Sequence, residues 1–521
     1  MAEFVPLATS LRDIYPEDAV PTQKRRWEHL LATFEQQFDT PADFVARSPG
    51  RVNIIGEHID YSLYEALPMA VTADILLAVK LDCATSIIKI ANTHSSKFPA
   101  REFQVPEKND IEIDASNHEW VNYFKSGLRG ALQLLRDKQK EGGKLTPVGM
   151  SVLVDGTVPS GGGLSSSAAF VCASALGVLR ANGEDKVDKT ELVELAIVSE
   201  RAVGVHSGGL DQSASVFALR GSALYVSFKP QLRARAVKFP ATKPELTFLI
   251  AQSFVASDKQ ATAPACYNLR VAECSLAAEV LAKKLNINRS LPKDAAPLEI
   301  SLRGLHDTYF EEKQGIANND NTSTEDFKKQ LQKLTQLVGD ALTQEHGYTR
   351  EEMSTILDIT VAELEKRYLS KFEVRAERFM LRQRALYVYM EAIRVLDLMF
   401  LLSSPRTHSE DLLRDIGNIL NETQKSCKEL YDCSCPELDE LCQLALEAGA
   451  YGSRLTGAGW GGCSVHLVSN EKVDAVRQTW EKNYYRKRFP EITDEKLSEA
   501  VVISKPGSGS CIFKVTGTNV V

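Results

Sequence analysis

Apolar and polar positions along this chain follow two rhythms, and the switches between them outline its elements. Between Asn117 and Lys140 the spacing is helical, with Trp120, Phe124, Leu128, Leu132 and Leu135 on one face. Helices are also predicted from Gln23 to Gln37, from about Ser165 to Asn182, from Lys189 to Val203, from Cys266 to Leu285 and over 471–485. The runs VTADILLAVKLDC (71–83), SIIKIA (86–91), MSVLVDGTVP (150–159), LYVSFKP (224–230), LTFLIAQ (246–252) and SVHLVS (464–469) read as strands. The end of the chain reads strand–helix–strand, closing on VVISKPGSGSCIFKV (501–515). Residues 286–380 are charged and helix-rich, with a polar joint at 318–326, and read as an insertion on a core. Sheets mixed with helices imply an α+β protein.

The length of 521 residues suggests two to four domains. Hydrophobic residues make up 44% and charged residues 25%, which excludes a disordered, collagenous or coiled-coil chain. Lys and Arg total 61 against 69 Asp and Glu, a formal charge of −8. No basic excess marks a nucleic-acid binder, so no direct nucleic-acid partner is expected. The opening MAEFVPLATSLRDIYPEDAV has neither the basic start nor the apolar stretch of a secretory signal. No apolar run reaches the ~20 residues of a membrane span. The strongest, 385–404, carries Glu391, Arg394 and Asp397 and reads as a buried amphipathic helix. Ten cysteines show no zinc spacing, Cys433 and Cys435 being C-x-C, and read as the reduced thiols of a cytoplasmic protein.

Four segments carry candidate chemistry. RSPGRVNIIGEHIDY (47–61) sets Arg51, Glu57, His58 and Asp60 among Val52, Ile54, Ile55 and Ile59. Charges in so apolar a setting need partners or a polar ligand. The cluster suits a hydroxyl-rich ligand such as a sugar, or a structural set of ion pairs. VPSGGGLSSSAAF (158–170) runs from a strand into a glycine loop and then a helix, so free N–H groups point at the loop and form an anion site. It lacks the lysine of a Walker A loop. Ser165, Ser166 and Ser167 offer hydroxyls to phosphate or Mg²⁺, and the apolar helix behind argues against a flexible linker. SERAVGVHSGGLDQSAS (199–215) places Glu200 on a helix and Asp211 after a Gly208-Gly209 turn, a weak signal alone. GSRLTGAGWGGC (452–463) fits G-x-G-x-x-G through Gly457, Gly459 and Gly462. A dinucleotide site needs a strand before and a helix after. Here a helix-rich stretch (436–449) precedes and an apolar strand follows, so a loop folding over a phosphate or a neighbouring loop is expected.

Together and in this order, the four segments resemble the galactokinases of the GHMP small-molecule kinase family. RSPGRVNIIGEHIDY resembles the galactokinase signature, GGGLSSSAA the family's ATP loop and LTGAGWGGC its third motif. The resemblance runs from about Pro41 to the C-terminus, and YDCSCPELDELC (431–442) is similar to the eukaryotic, fungal-like branch. It implies a two-lobed α+β fold with the active site between the lobes. An N-terminal extension would span 1–40, an N-terminal lobe 41–235, and a C-terminal lobe 240–521 with the helical insertion near 286–380.

The resemblance also implies ATP-dependent phosphorylation of the anomeric hydroxyl of galactose, the first committed step of galactose catabolism by the Leloir pathway. Carried over by position, Ser167 and Glu200 would coordinate Mg²⁺. Gly161, Gly162, Gly163, Leu164, Ser165, Ser166 and Ser167 would cradle the triphosphate, with Trp120 against the adenine. Arg51, Glu57, His58, Asp60, Gly208, Asp211 and Tyr267 would bind the sugar. Asp211 would be the base and Arg51 its partner. Two related activities share much of the pattern. A galactose- and ATP-sensing co-inducer that binds a transcriptional repressor lacks the Ser-Ala pair that stands here as Ser167-Ala168. N-acetylgalactosamine kinases share the first motif, and Tyr267 leans towards galactose. Mevalonate and homoserine kinases share the fold and lack RVNIIGEHIDY.

Overall fold

The longest strand-like run, 71–83, lies at the centre of a sheet whose two faces are both covered. The fold is that of a computed structural model describing residues 3–107, 111–114, 117, 119–139, 145–159, 163–201, 208–255, 262–319, 321–403 and 409–515. The sheet contains β1 (Leu7–Ala8), β2 (Phe44–Ile55), β3 (Leu67–Asp82), β4 (Ile87–Asn92), β5 (Arg101–Gln104) and β6 (Gly149–Gly156). A hairpin, β7 (Ser222–Ser227) with β8 (Arg233–Lys238), follows. A second, antiparallel sheet joins β9 (Leu246–Gln252), β10 (Gly452–Thr456), β11 (Cys463–Ser469) and β12 (Val501–Ser504) in the order β10-β11-β9-β12. The last strand, β13 (Cys511–Lys514), returns to the first sheet, whose order is β1-β13-β2-β3-β6-β4-β5.

Period-two alternation sorts side chains between the faces of the first sheet. Phe44, Ala46, Ile75, Leu77, Val79, Val152 and Val154 join the main core. There they meet the helices Val121–Lys138, Ser166–Ala181 and Lys189–Arg201. Val45, Leu76, Ala78 and Leu153 face the other way, against Trp27, Leu30, Leu31 and Phe34 of the helix Val20–Phe38. The segment read as an extension is therefore one layer of this sheet. Arg26 pins it there, with Nη1 2.6 Å from Asp74 Oδ1 and Nε 2.5 Å from Asp155 Oδ1. Polar, proline-punctuated sequence hid this role, because only one stripe of the helix is apolar.

Two further readings are refined. The final run 501–515 is two strands in different sheets, separated by the bend through Gly507 and Gly509. The stretch 436–449 is helical as read, over Pro436–Glu447, but β10 lies between it and the glycines, so the third glycine loop is the turn of an antiparallel β10–β11 pair. A strand still follows it rather than a helix, and the dinucleotide geometry is absent.

The insertion packs four helices, Leu302–Gln314, Thr324–Ala341, Arg350–Leu357 and Val361–Tyr368, against the helices Tyr267–Lys284 and Leu381–Ser403. It reaches the segment just after the first motif through buried His306, which bridges the Tyr64 hydroxyl at 3.0 Å and Gln330 Oε1 at 2.7 Å. Helix Leu381–Ser403 is the buried amphipathic run, and its Glu391 accepts the Gly56 N–H at 2.8 Å. No disulfide joins the ten cysteines. Among the described residues no helix is long and apolar enough to cross a membrane.

Candidate active site

Strand β2 carries the first motif further than a loop reading allows. It is buried along its whole length to Ile55, and its register with β3 slips at Pro49/Arg51 and again at Asn53/Ile55. Such irregularities re-aim side chains. Arg51 here reaches two other segments. Its Nε and Nη2 lie 2.7 Å from Asp211 Oδ1, and its Nη1 donates to the Gly163 carbonyl at 2.6 Å. Its backbone N–H donates to the Leu164 carbonyl at 3.0 Å.

Asp211 stands in the first turn of the helix Leu210–Phe217, where the exposed N–H groups favour negative charge. Its second oxygen accepts the Ser165 hydroxyl. Ser165 precedes the helix Ser166–Ala181 with φ at 57°. Glycine loop, β2 and the Asp211 helix thus converge on one carboxylate. Gly161 and Gly162 lie outside the described residues. Ser166 and Ser167, half-buried, open the helix.

Asp60 is buried and accepts the Gly208 N–H at 3.2 Å. Burial first, then the charges of Asp211 and Glu57, raise its carboxyl to about 7. Burial, followed by the carboxylates of Asp60 and Asp211, also pushes the Tyr267 hydroxyl well above its usual range, so it remains a donor. Tyr267 opens its helix with its ring 5.6 Å from that of His58. His58 itself is held at both ring nitrogens: Nδ1 lies 3.0 Å from the Tyr61 hydroxyl and Nε2 2.8 Å from the Ala458 carbonyl. Glu57 Oε2 accepts Arg454 Nη2 at 2.9 Å and the Gly457 N–H at 3.0 Å. Glu57 and His58 therefore tie the first motif to the third glycine loop. Of the two alternatives read from the sequence, the ion-pair cluster describes Glu57, which is paired with Arg454.

Trp120 stands just before its helix, half-buried, its ring parallel to Phe170 at 6.1 Å and its indole N–H on the Pro99 carbonyl at 3.0 Å. Phe170 belongs to the helix behind the glycine loop, so Trp120 lies at that loop's side of the fold. Glu200 is buried near the end of the helix Lys189–Arg201 and accepts the Gln212 amide. Ser167 and Glu200 are hard oxygen donors. The described residues contain no group of three or more His, Cys, Asp or Glu able to cage a metal. That donor set fits Mg²⁺, which binds through one or two protein oxygens plus substrate phosphates and water.

The sequence reading missed Arg454, Tyr61 and Tyr431. Arg454 lies in the third motif beside the glycines, where its basic charge near an apolar strand was the available signal. The tyrosines had none, since a buried tyrosine reads as core.

The galactokinase galactose-binding signature matches residues 32–81, the GHMP kinase N-terminal domain 122–218 and the GHMP kinase C-terminal domain 408–486. Galactokinase of Candida parapsilosis is 43% identical over 498 residues, covering 94% of this chain and 95% of that protein. Galactokinase of Saccharomyces cerevisiae is 41% identical over 498 residues, covering 93% and 94%. The fold resembles the crystal structure of Lactococcus lactis galactokinase complexed with galactose, with a TM-score of 0.63 at 22% identity, covering 92% of this chain and 98% of that one. Signature, length and architecture agree: the chain belongs to the galactokinase family, within the GHMP kinases.

Proposed function

We propose that this protein transfers the terminal phosphoryl group of ATP to the anomeric hydroxyl of galactose, giving galactose 1-phosphate and ADP. The observation that carries the reading is the Arg51–Asp211 pair, placed where the first motif, the glycine loop and the helix Leu210–Phe217 meet. The sugar would lie among Asp60, Tyr267 and Asp211, with Glu57, His58 and Gly208 shaping that wall. The glycine loop and the N-terminus of the helix Ser166–Ala181 would hold the triphosphate, with Trp120 beside the adenine.

Asp211 orients the anomeric hydroxyl and accepts its proton. Arg51 is permanently charged and fixes the Asp211 carboxylate through two nitrogens on one oxygen. Phosphoryl transfer through a loose transition state asks little of a base before the leaving bond has broken, so the proton moves late. The Arg51 guanidinium also stands close to charge developing on the transferring group. Aligning donor and acceptor supplies several kcal/mol of the barrier reduction. Ser167 and Glu200 would hold Mg²⁺, which when bound with ATP neutralises phosphate charge.

The test is ADP release by purified protein with Mg²⁺ and ATP, given galactose or N-acetylgalactosamine separately, against sugar-free controls. Turnover with galactose is expected. Preference for the N-acetyl sugar reassigns the substrate, and binding of ATP and galactose without turnover makes the protein a sensor.

A further inference from the structure

Residues 431–433, so far only a mark of lineage, touch both loops that close the site. Helix Ser409–Ser426 runs on into a wide, π-type turn, Cys427–Tyr431, which ends at Asp432 with φ at 53°. Such turns recur at functional sites. This one presents three successive carbonyls. Tyr431 O accepts Arg270 Nε at 2.8 Å, Asp432 O accepts the Trp460 indole N–H at 3.0 Å, and Cys433 O accepts the Trp460 backbone N–H at 2.8 Å. The third glycine loop rests directly on the last two: a Cβ on Gly459 would collide with the Cys433 carbonyl oxygen. Trp460 is held there in the left-handed region, at φ 53°, a strained conformation that persists only where its surroundings enforce it.

The Tyr431 side chain reaches the other loop. Its hydroxyl is 2.5 Å from that of Tyr61, which is 3.0 Å from His58 Nδ1, while His58 Nε2 is 2.8 Å from Ala458 O. Chemistry sets the direction of the chain. The Ala458 carbonyl only accepts, so Nε2 carries a proton, and in the neutral ring Nδ1 is the acceptor. Tyr61 then donates to Nδ1 and is left to accept from Tyr431, whose hydroxyl also lies 3.5 Å from the His58 carbonyl and 3.4 Å from Cys274 Sγ.

We propose that Tyr431 is a positioning residue for the phosphoryl transfer. Its hydroxyl fixes the His58 ring and tautomer through Tyr61, and its flanking carbonyls seat the loop 457–462, so sugar-facing and third glycine loops keep one mutual register. This rests on the galactokinase reading given above.

Tyr431→Phe in the full-length protein tests it, by steady-state kinetics and by ¹⁵N spectra of histidine-labelled protein, with the His58 signals assigned through His58→Gln. The galactose KM is expected to rise about fivefold to tenfold, the size of one lost buried hydrogen bond, with the ATP KM within about twofold. The His58 nitrogens are expected to lose the signature of a single Nε2–H tautomer. Tyr389→Phe is the control: it removes a buried hydroxyl bonded to the Leu302 carbonyl from the neighbouring helix and moves neither readout. Tyr61→Phe breaks the chain one link on and reproduces both effects should Tyr431→Phe not fold. A folded Tyr431→Phe with unchanged galactose KM and unchanged His58 spectrum overturns the proposal, as does an equal KM rise in Tyr389→Phe. A parent enzyme that turns over no galactose refutes the underlying reading instead, and the ¹⁵N spectra still decide whether Tyr431 sets the His58 tautomer.

Discussion

Arg51 and Asp211 meet at a single carboxylate oxygen: two guanidinium nitrogens lie 2.7 Å from Asp211 Oδ1, while Oδ2 accepts the Ser165 hydroxyl. The same guanidinium holds the Gly163 carbonyl, so one cation holds Asp211 and the glycine loop together. Asp211→Ala removes the proposed proton acceptor and leaves the loop's N–H groups in place. Turnover is expected to fall at least about a hundredfold, the scale of general-base catalysis, with ATP affinity within about threefold. Kinetics beside a fluorescent-nucleotide titration check both. Near-normal turnover in the variant removes Asp211 from the chemistry.

The buried pair Glu57–Arg454 makes a different prediction. Arg454 is fully buried and also donates to the Asn53 and Ile54 carbonyls, at 3.2 and 2.9 Å. Removing one partner of such a pair leaves the other charge uncompensated, at a cost of about 3–5 kcal/mol. Arg454→Met is expected to show that loss in urea unfolding. Adding Glu57→Gln to it should restore part, because the stranded charge is gone. A double variant as unstable as the sum of the singles would show that the two residues act independently.

Asp60 carries the pH dependence. Its folded carboxyl titrates at about 7, against about 3.9 for an unfolded aspartate. Between those values the folded protein keeps a proton that the unfolded chain has lost. Stability from this group is therefore complete below about pH 4 and declines as pH rises towards 7, by up to about 1.4 kcal/mol per unit. Asp60→Asn should flatten that decline and raise stability at alkaline pH. Unfolding curves across this window that run parallel for parent and variant would place the titration elsewhere.

Much of this was legible in the residues because the chemistry is local. The alternation of β3 and β6 and the helical stripe from Phe124 to Leu135 determine their own elements, and glycines beside serines announce a close approach of backbone to an anion. Three features were hidden because they depend on partners far away in the chain. The helix Val20–Phe38 looked like an extension because its apolar stripe is narrow, and Asp74 and Asp155, which hold Arg26, lie 48 and 129 residues on. Strand β10 is five residues long and gains its identity from pairing with β11. For Glu57 and His58 ligand site and ion-pair cluster both stood open, because no spacing reveals Arg454 or Ala458 about 400 residues away. The resemblance conveyed which residues gather, while the geometry separates Arg51, Asp211 and Ser165, which meet at one carboxylate, from Glu57 and His58, which bond to the third glycine loop.

Gly208 shows how a glycine can be required without any special backbone angle. A Cβ there would lie 2.5 Å from Asp60 Oδ2, 2.8 Å from its Cγ and 2.9 Å from its carbonyl carbon. The carboxylate could swing aside, but the Asp60 backbone cannot, and the Gly208 N–H would lose its acceptor. Gly208→Ala is thus expected to displace Asp60 from the proposed sugar wall. The galactose KM should rise about tenfold or more, with the ATP KM nearly unchanged, since the bond lost joins Gly208 to Asp60 and not to the glycine loop. Gly183→Ala separates this from a general cost of removing a glycine. Gly183 has φ at +91°, and a Cβ there would meet nothing within 4 Å. Its substitution therefore strains the backbone and lowers stability by about 1 kcal/mol without touching the site. A galactose KM that rises in both variants would make the effect one of stability. A rise confined to Gly208→Ala ties it to the displacement of Asp60.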